Sequence, residues 1–434
     1  MCHTALAGLL EWGYEPPVLP LCLDLVVPIA PPPHRPTILQ LIPKLETGGA
    51  ERTVVEMSAA ITQAGGRALV AAEDGRMAGA VRDAGGEIID FPAGTKNPAL
   101  IVANVARLGR LIAEHHIDLL HARSRAPAWS AWIAARRAGV PFVTTYHGAY
   151  SEKNAAKKLY NSVMARADTV IANSNYTANL IRARYGTPPE RLVVIQRGVD
   201  PAVFDPSQIK PERLAALRAA WGVTPDTRIV LHAARLTAWK GQRVVIDAAG
   251  RLGLAFPGAA PDRTPVAIIL AGDAQGRDDY VRDLRARIQA HRLEGIVKLV
   301  GHVEDMPAAY ALSCATLVPS TEPEAFGRAA IEAQAAGSPV IAARLGAPPE
   351  TVRAQPDVPA GTETGWLVPP GDADALAGAL ADVLAMGPNA HAALAGRARA
   401  HAANFTLRRL QAQTLAVYDG LLGTQLAAAF STAE

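Results

Sequence analysis

From Thr37 onward the chain repeats one pattern of polarity. Short runs of β-branched or leucine-rich residues alternate with longer, alanine-rich stretches that favour helix. The runs lack a strict in/out alternation, so each predicts a strand buried on both faces, as in parallel sheets covered by helices. The first series predicts strands at Thr37–Ile42, Arg67–Ala71, Glu87–Asp90, Asp118–His121, Phe142–Thr145, Thr169–Ala172 and Leu192–Ile195. A stretch rich in proline and polar residues, Arg197–Pro225, then interrupts the pattern and reads as a connector. A second series predicts strands at Arg228–His232, Val266–Ala271, Val297–Val300, Thr316–Pro319, Pro339–Ala342 and Gly365–Val368. The expected architecture is α/β, with two Rossmann-like, doubly wound domains at 37–200 and 226–402 joined by a linker at 201–225. A last helix within 403–422 carries Phe405, Leu410, Leu415 and Leu421 with Arg408 and Arg409. It either closes the second domain or returns to the first.

Composition narrows the classes of function. A chain of 434 residues exceeds one core, in keeping with two domains. The net charge of +3 points to no polyanionic partner for the whole molecule. Three cysteines, Cys2, Cys22 and Cys314, form neither a disulfide framework nor a CxxC pair, which fits a reducing cytoplasm. No apolar run is long enough to span a bilayer. The proline-rich segment 1–36 contains LPLCLDLVVPIAPPP, but it lacks a basic flank and Asp24 interrupts it, so a disordered extension is expected. No G-x-G-x-x-G, no glycine before a lysine, no H-E-x-x-H and no G-x-S-x-G occurs. These absences argue against a dehydrogenase, an ATPase and a serine hydrolase. The single D-x-D, Asp372-Ala373-Asp374, directly precedes an apolar helix and reads as an N-cap, not a metal site.

In doubly wound sheets ligands bind beyond the carboxyl ends of strands, and four loops there carry unusual residues. Gly48 and Gly49, in KLETGGAERTVVEM, lie just before a helix and allow close approach of backbone to a ligand; a plain turn accounts for them equally. His147, in TTYHGAY, sits just past its strand, better placed for cleft chemistry than for packing. Arg235 and Lys240, in AARLTAWKGQ, offer a fork and a point charge suited to a diphosphate. EAFGRAAIE places Glu324 ahead of Phe326-Gly327 and Glu332 inside the following helix. Its start would favour an anion. Cations for phosphates and carboxylates for hydroxyls form the inventory of a nucleotide-sugar site.

With these motifs in this order, the chain resembles the retaining glycosyltransferases of the GT-B fold, family 4, also called group 1, over about Thr37–Leu422. The resemblance rests on GGAER, the histidine of TYHG, ANSNYT, R-L-x-x-x-K-G at Arg235–Gly241, LAGDAQG, the long stretch from VGHVEDMP through EAFGRAAIE to SPVIA, and TGWLVPPGD. It implies two domains facing across a cleft, with the last helix packing back on the N-terminal domain. It further implies that Glu324 accepts donor-sugar hydroxyls and Glu332 ribose hydroxyls. Arg235 and Lys240 would neutralise the departing diphosphate without metal or cofactor. N–H groups at Phe326, Gly327 and Gly49 would assist, and His147 would contact the transferred sugar.

The expected reaction is transfer of a hexose, from a donor such as GDP-mannose or a UDP-hexose, to a glycan or lipid-linked acceptor. Bacterial lipopolysaccharide or other cell-surface polysaccharide synthesis is the expected setting, because HARSRAPAW is similar to lipopolysaccharide-core enzymes. Between His121 and Arg166 stand eight basic residues against one acid, Glu152. That window predicts a peripheral contact with anionic membrane on the cytoplasmic side, or else a solvated helix over two packed tryptophans, Trp129 and Trp132. A nucleotide-sugar epimerase or hydrolase of the same fold and a non-enzymatic GT-B scaffold are the alternatives.

Overall fold

The computed structural model describes residues 35–46, 48–150, 152–253 and 264–432; nearly all of the expected 1–36 extension lies outside them. Among the described residues, thirteen strands form two wholly parallel sheets. In the first, β1 (Thr37–Lys44), β2 (Arg67–Glu73), β3 (Glu87–Asp90), β4 (Leu119–Ala122), β5 (Phe142–Tyr146), β6 (Thr169–Ala172) and β7 (Leu192–Val194) are ordered β3-β2-β1-β4-β5-β6-β7. In the second, β8 (Arg228–Ala233), β9 (Val266–Ala271), β10 (Val297–Gly301), β11 (Ser313–Val318), β12 (Val340–Ala343) and β13 (Gly365–Val368) are ordered β10-β9-β8-β11-β12-β13. Strand order therefore reverses between β1 and β4 and again between β8 and β11. These are the switch points beyond which doubly wound sheets open a crevice.

Both faces of each sheet are dry, which explains the unbroken apolar runs. In β1, Leu39 and Leu41 pack with Leu69, Leu120 and Phe142 on one face. Ile38 points to the other face, with Met57, Leu119 and Val143. The cover over that second face comes partly from the far end of the chain. Leu410, Leu415 and Tyr418 of the Leu407–Leu422 helix, with Leu426 and Phe430 of the next, are buried in the same cluster. The last helices thus lie on the first sheet.

The connector at 201–225 differs from a simple linker. It contains the helices Pro201–Phe204 and Pro211–Trp221, and Phe204 and Trp221 are buried in the core of the second domain. Pro201 and Pro211 sit in first helical turns, where a missing N–H costs nothing and the fixed φ suits the helix. The chain crosses between the domains twice, and the two crossings are hydrogen-bonded to each other. Val199 N donates to Phe405 O (2.9 Å) and Leu407 N to Val199 O (2.8 Å). Gly198 is required there, because a Cβ would lie 2.1 Å from Thr406 O. No described helix is long and apolar enough to cross a membrane.

Candidate active site

On the N-terminal side the site is assembled by loops after β1, β5 and β7. The Gly49–Gln63 helix starts at Gly49, behind Gly48 in extended conformation. Gly49 O accepts from Arg197 Nη1 (2.7 Å), and a Cβ on Gly49 would lie 2.6 Å from that same nitrogen. The second glycine is therefore needed for the approach of a guanidinium. Arg197 also donates from Nη2 to His147 Nδ1 (2.5 Å). Arginine is only ever a donor, so Nδ1 is the acceptor and the imidazole proton resides on Nε2. That Nε2 is enclosed and has no protein partner. Burial, reinforced by Arg197 and Arg123, holds the His147 pKa well below the usual histidine range, so the ring is neutral at pH 7. The outcome is a neutral N–H donor awaiting an acceptor.

Arg197 is 8% exposed, and burial with the nearby Arg328 pushes its pKa down to about 10. It lies just past β7 and follows the same rule as the four loops singled out from sequence. It is masked there because QRGVD merges with the polar connector.

On the C-terminal side, Lys240 and Glu324 meet. Lys240 Nζ lies 2.5 Å from Glu324 Oε1, and Ser320 Oγ donates to the same oxygen (2.6 Å). Lys240 comes from the turn after β8 and Glu324 from the loop after β11, the two strands flanking the switch point. Gly241 is left-handed (φ 82°), and a Cβ there would strike Pro319 O at 2.1 Å, so glycine seats the lysine turn against the β11 loop. The Glu324 carbonyl accepts from Ala347 N (2.9 Å). Arg235 is exposed and has no ion-pair partner among the described residues. It acts on Glu51 across the cleft, opposing the upward shift that burial imposes on that carboxyl.

The Arg328–Ala335 helix begins after Gly327, left-handed at φ 82°, so its first N–H groups lack intrahelical acceptors. Phe326 contributes only backbone to any ligand, because its ring is 2% exposed and packs edge-on to Phe405. Glu332 is engaged already by Arg328 Nε (2.7 Å) and Tyr310 Oη (3.1 Å). Arg328 reaches on to Glu56 of the N-terminal domain (3.1 Å). The sequence motif does not disclose this cross-domain role for Arg328.

The basic window is not one surface. Arg123 is 2% exposed, donating to Gln40 Oε1 (2.9 and 2.7 Å). Arg125 stacks 4.0 Å over Tyr150 and bonds Asn161. Arg136 pairs with Asp168, and Arg166 lies over Trp129 and Trp132. An anionic membrane cannot engage the enclosed Arg123, which corrects the expectation built on the whole stripe. Arg136, Arg137, Lys153, Lys157 and Lys158 are the members left exposed. Among the described residues no cluster of three or more His, Cys, Asp or Glu side chains forms a metal site. Asp372 caps the Ala373–Ala385 helix, accepting from Asp374 N and Ala375 N.

Comparison with known proteins identifies the family and the fold. The profile "Glycosyltransferase Family 4" matches residues 47–203 and "Glycosyl transferases group 1" matches 215–401. The D-inositol 3-phosphate glycosyltransferase of Jonesia denitrificans is 31% identical over 329 residues, 73% of this chain and 74% of that protein. Its counterpart in Mycolicibacterium paratuberculosis is 32% identical over 344 residues, covering 74% and 71%. Among solved structures, a glycosyltransferase from Rickettsia africae superposes with a TM-score of 0.79 at 29% identity, covering 90% of this chain and 100% of its own. Anabaena Alr3699/HepE in complex with UDP-glucose gives 0.74 at 28% identity, covering 89% and 100%. The chain therefore belongs to the group 1, family 4 glycosyltransferases and is a glycosyltransferase of GT-B architecture.

Proposed function

We propose that the protein transfers a hexose from a UDP-linked donor to an acceptor hydroxyl with retention of anomeric configuration. The observation that carries the reading is the Lys240–Glu324 pair at the β8/β11 switch point, with the unpartnered His147 N–H on the opposite domain. Arg235 and Lys240 neutralise the departing diphosphate, a task other sites give to a metal, so no cation is required. Glu324 accepts the donor sugar's hydroxyls. Glu332, steadied by Arg328 and Tyr310, turns its free lone pairs to the ribose. The Nε2–H of His147 donates to a sugar oxygen near the reacting carbon. The acceptor hydroxyl attacks on the face that the diphosphate leaves, and a diphosphate oxygen takes its proton, so the C–O bond to acceptor forms as that to phosphate breaks.

The choice of uridine follows the UDP-glucose bound by Alr3699/HepE. The names of the relatives support a phosphorylated polyol such as D-inositol 3-phosphate as acceptor; a cell-surface glycan is the second acceptor class to assay. Incubation of purified protein with UDP-glucose, UDP-N-acetylglucosamine or GDP-mannose and either acceptor class tests the reading. Retained glycoside product that persists in EDTA and is lost in Glu324→Gln supports it. Free sugar or an isomerised donor as the main product would overturn it in favour of a hydrolase or epimerase.

A further inference from the structure

The N-terminus of the Asn175–Tyr185 helix, in the N-terminal domain, grips the loop that carries Glu324 from two sides. Ser174 is the N-cap: its Oγ accepts from Thr177 N (3.0 Å) and donates to Ala325 O (2.6 Å), one residue from Glu324. Thr177 Oγ1 shares its single proton between Asn173 Oδ1 (2.9 Å) and, at longer range, the same Ala325 carbonyl (3.3 Å). Ser174 and Thr177 are fully buried. The second grip comes from the donor domain. Glu350 accepts from Asn175 N (2.8 Å), Asn175 Nδ2 (3.0 Å) and Tyr176 N (2.6 Å), with Gln196 Nε2 at 3.5 Å. Glu350 belongs to the turn Pro348–Thr351, which begins beside Ala347, the residue whose N–H holds Glu324 O. The carbonyls of Glu324 and Ala325 are thus tied, one through the Glu350 turn and one directly, to the same helix end on the opposite domain. A carboxylate at a helix N-terminus is favourable anywhere on a surface. Here the carboxylate is supplied by the other domain, so it forms only when the domains meet.

We propose that Ser174, Thr177 and Glu350 are positioning residues for glycosyl transfer, fixing Glu324 in its working place only when the domains are closed. The proposal rests on the functional reading above. It predicts a division of labour, because the diphosphate-binding Arg235 and Lys240 lie on the donor domain and need no closure.

The test uses full-length Thr177→Val, Glu350→Gln, Ser174→Ala and Ser174→Thr. In the first three, kcat should fall about tenfold or more, with UDP affinity by calorimetry unchanged, and Ser174→Thr should recover most of the rate. Hydrogen exchange at the amides of 324–327, measured without any substrate, should quicken in Thr177→Val and Glu350→Gln. Unaltered exchange together with wild-type kcat would overturn the proposal, as would a parallel loss of kcat, UDP affinity and Tm that threonine fails to restore. A wild-type protein that transfers nothing, while its 324–327 amides still respond to Glu350→Gln, would sink the functional reading and leave the positioning role standing.

Discussion

The Lys240–Glu324 pair gives the sharpest quantitative test of the site. The two side chains are 20% and 10% exposed, too enclosed for water to replace a lost partner well. Lys240→Met leaves the carboxylate with Ser320 as its remaining partner, and stranding an enclosed charge costs about 3 kcal/mol. For a domain of this size that lowers Tm by roughly 6–12 °C. Glu324→Gln alone strands the ammonium at a comparable cost. The double variant removes both charges and should return to within about 1 kcal/mol of wild type, because a mutually desolvated pair contributes little net stability. Urea unfolding of the wild type, both singles and the double closes the cycle, with an expected coupling of about 5 kcal/mol, because the double loses far less than the two singles together. Transfer should be lost in all three variants, so stability and activity separate in the double. Additive losses, with coupling below about 0.5 kcal/mol, would show that the pair behaves as a solvated surface contact and refute the reasoning.

Three further outcomes are expected. Arg197→Met removes the donor that fixes the His147 tautomer, and kcat should fall about 100-fold with Tm little changed; unimpaired turnover would remove Arg197 from the site. His121, His147 and His232 all have depressed folded pKa values because burial opposes their charging, with His232 held at about 4. The unfolded chain therefore binds protons first: their stabilisation is complete above the unfolded value of about 6.5 and drains away as pH falls toward the folded values. Thermal melts between pH 7 and 5 should show Tm falling, and a flat profile would contradict three neutral enclosed imidazoles. Gly198→Ala forces a Cβ against Thr406 O at 2.1 Å and should destabilise by about 3 kcal/mol; a wild-type melting curve would mean the crossings are looser than they look.

All thirteen strands among the described residues are legible in the sequence because parallel sheets dry on both faces leave unbroken apolar runs. The errors at strand ends are one to three residues. Switch-point logic also makes His147, Lys240 and Glu324 legible, since a charged or catalytic side chain just past a buried strand has few structural reasons to be there. Pairings are what sequence withholds. Nothing in RLTAWKG or EAFGRAAIE says that Lys240 and Glu324 meet, because the loops belong to strands separated by two others in the chain. Arg123 looks like its neighbours Arg125 and Arg136 in a basic run, yet Gln40, 83 residues earlier, takes it inside. Segment 201–225 reads as a connector because its helices are short and begin at prolines, so local composition outweighs the two aromatic anchors, Phe204 and Trp221. Glu350 carries no local mark at all; its partners are backbone N–H groups and side-chain amides of another domain.

The two paired crossings at Val199 and Thr406 also set the order of biogenesis. The first sheet leaves the ribosome early, but Ile38, Met57, Leu119 and Val143 receive their cover from Leu410, Leu415 and Tyr418. About 200 residues separate β7 from that helix, so at about 5–20 residues per second the face stays open for roughly 10–40 s. During that interval the nascent N-terminal domain presents a sticky surface of its own, and the second domain must fold while tethered beside it. A chain cut after Ala402 would never close that face. Its N-terminal half should be a strong client for holdase chaperones, which bind such exposed apolar surface.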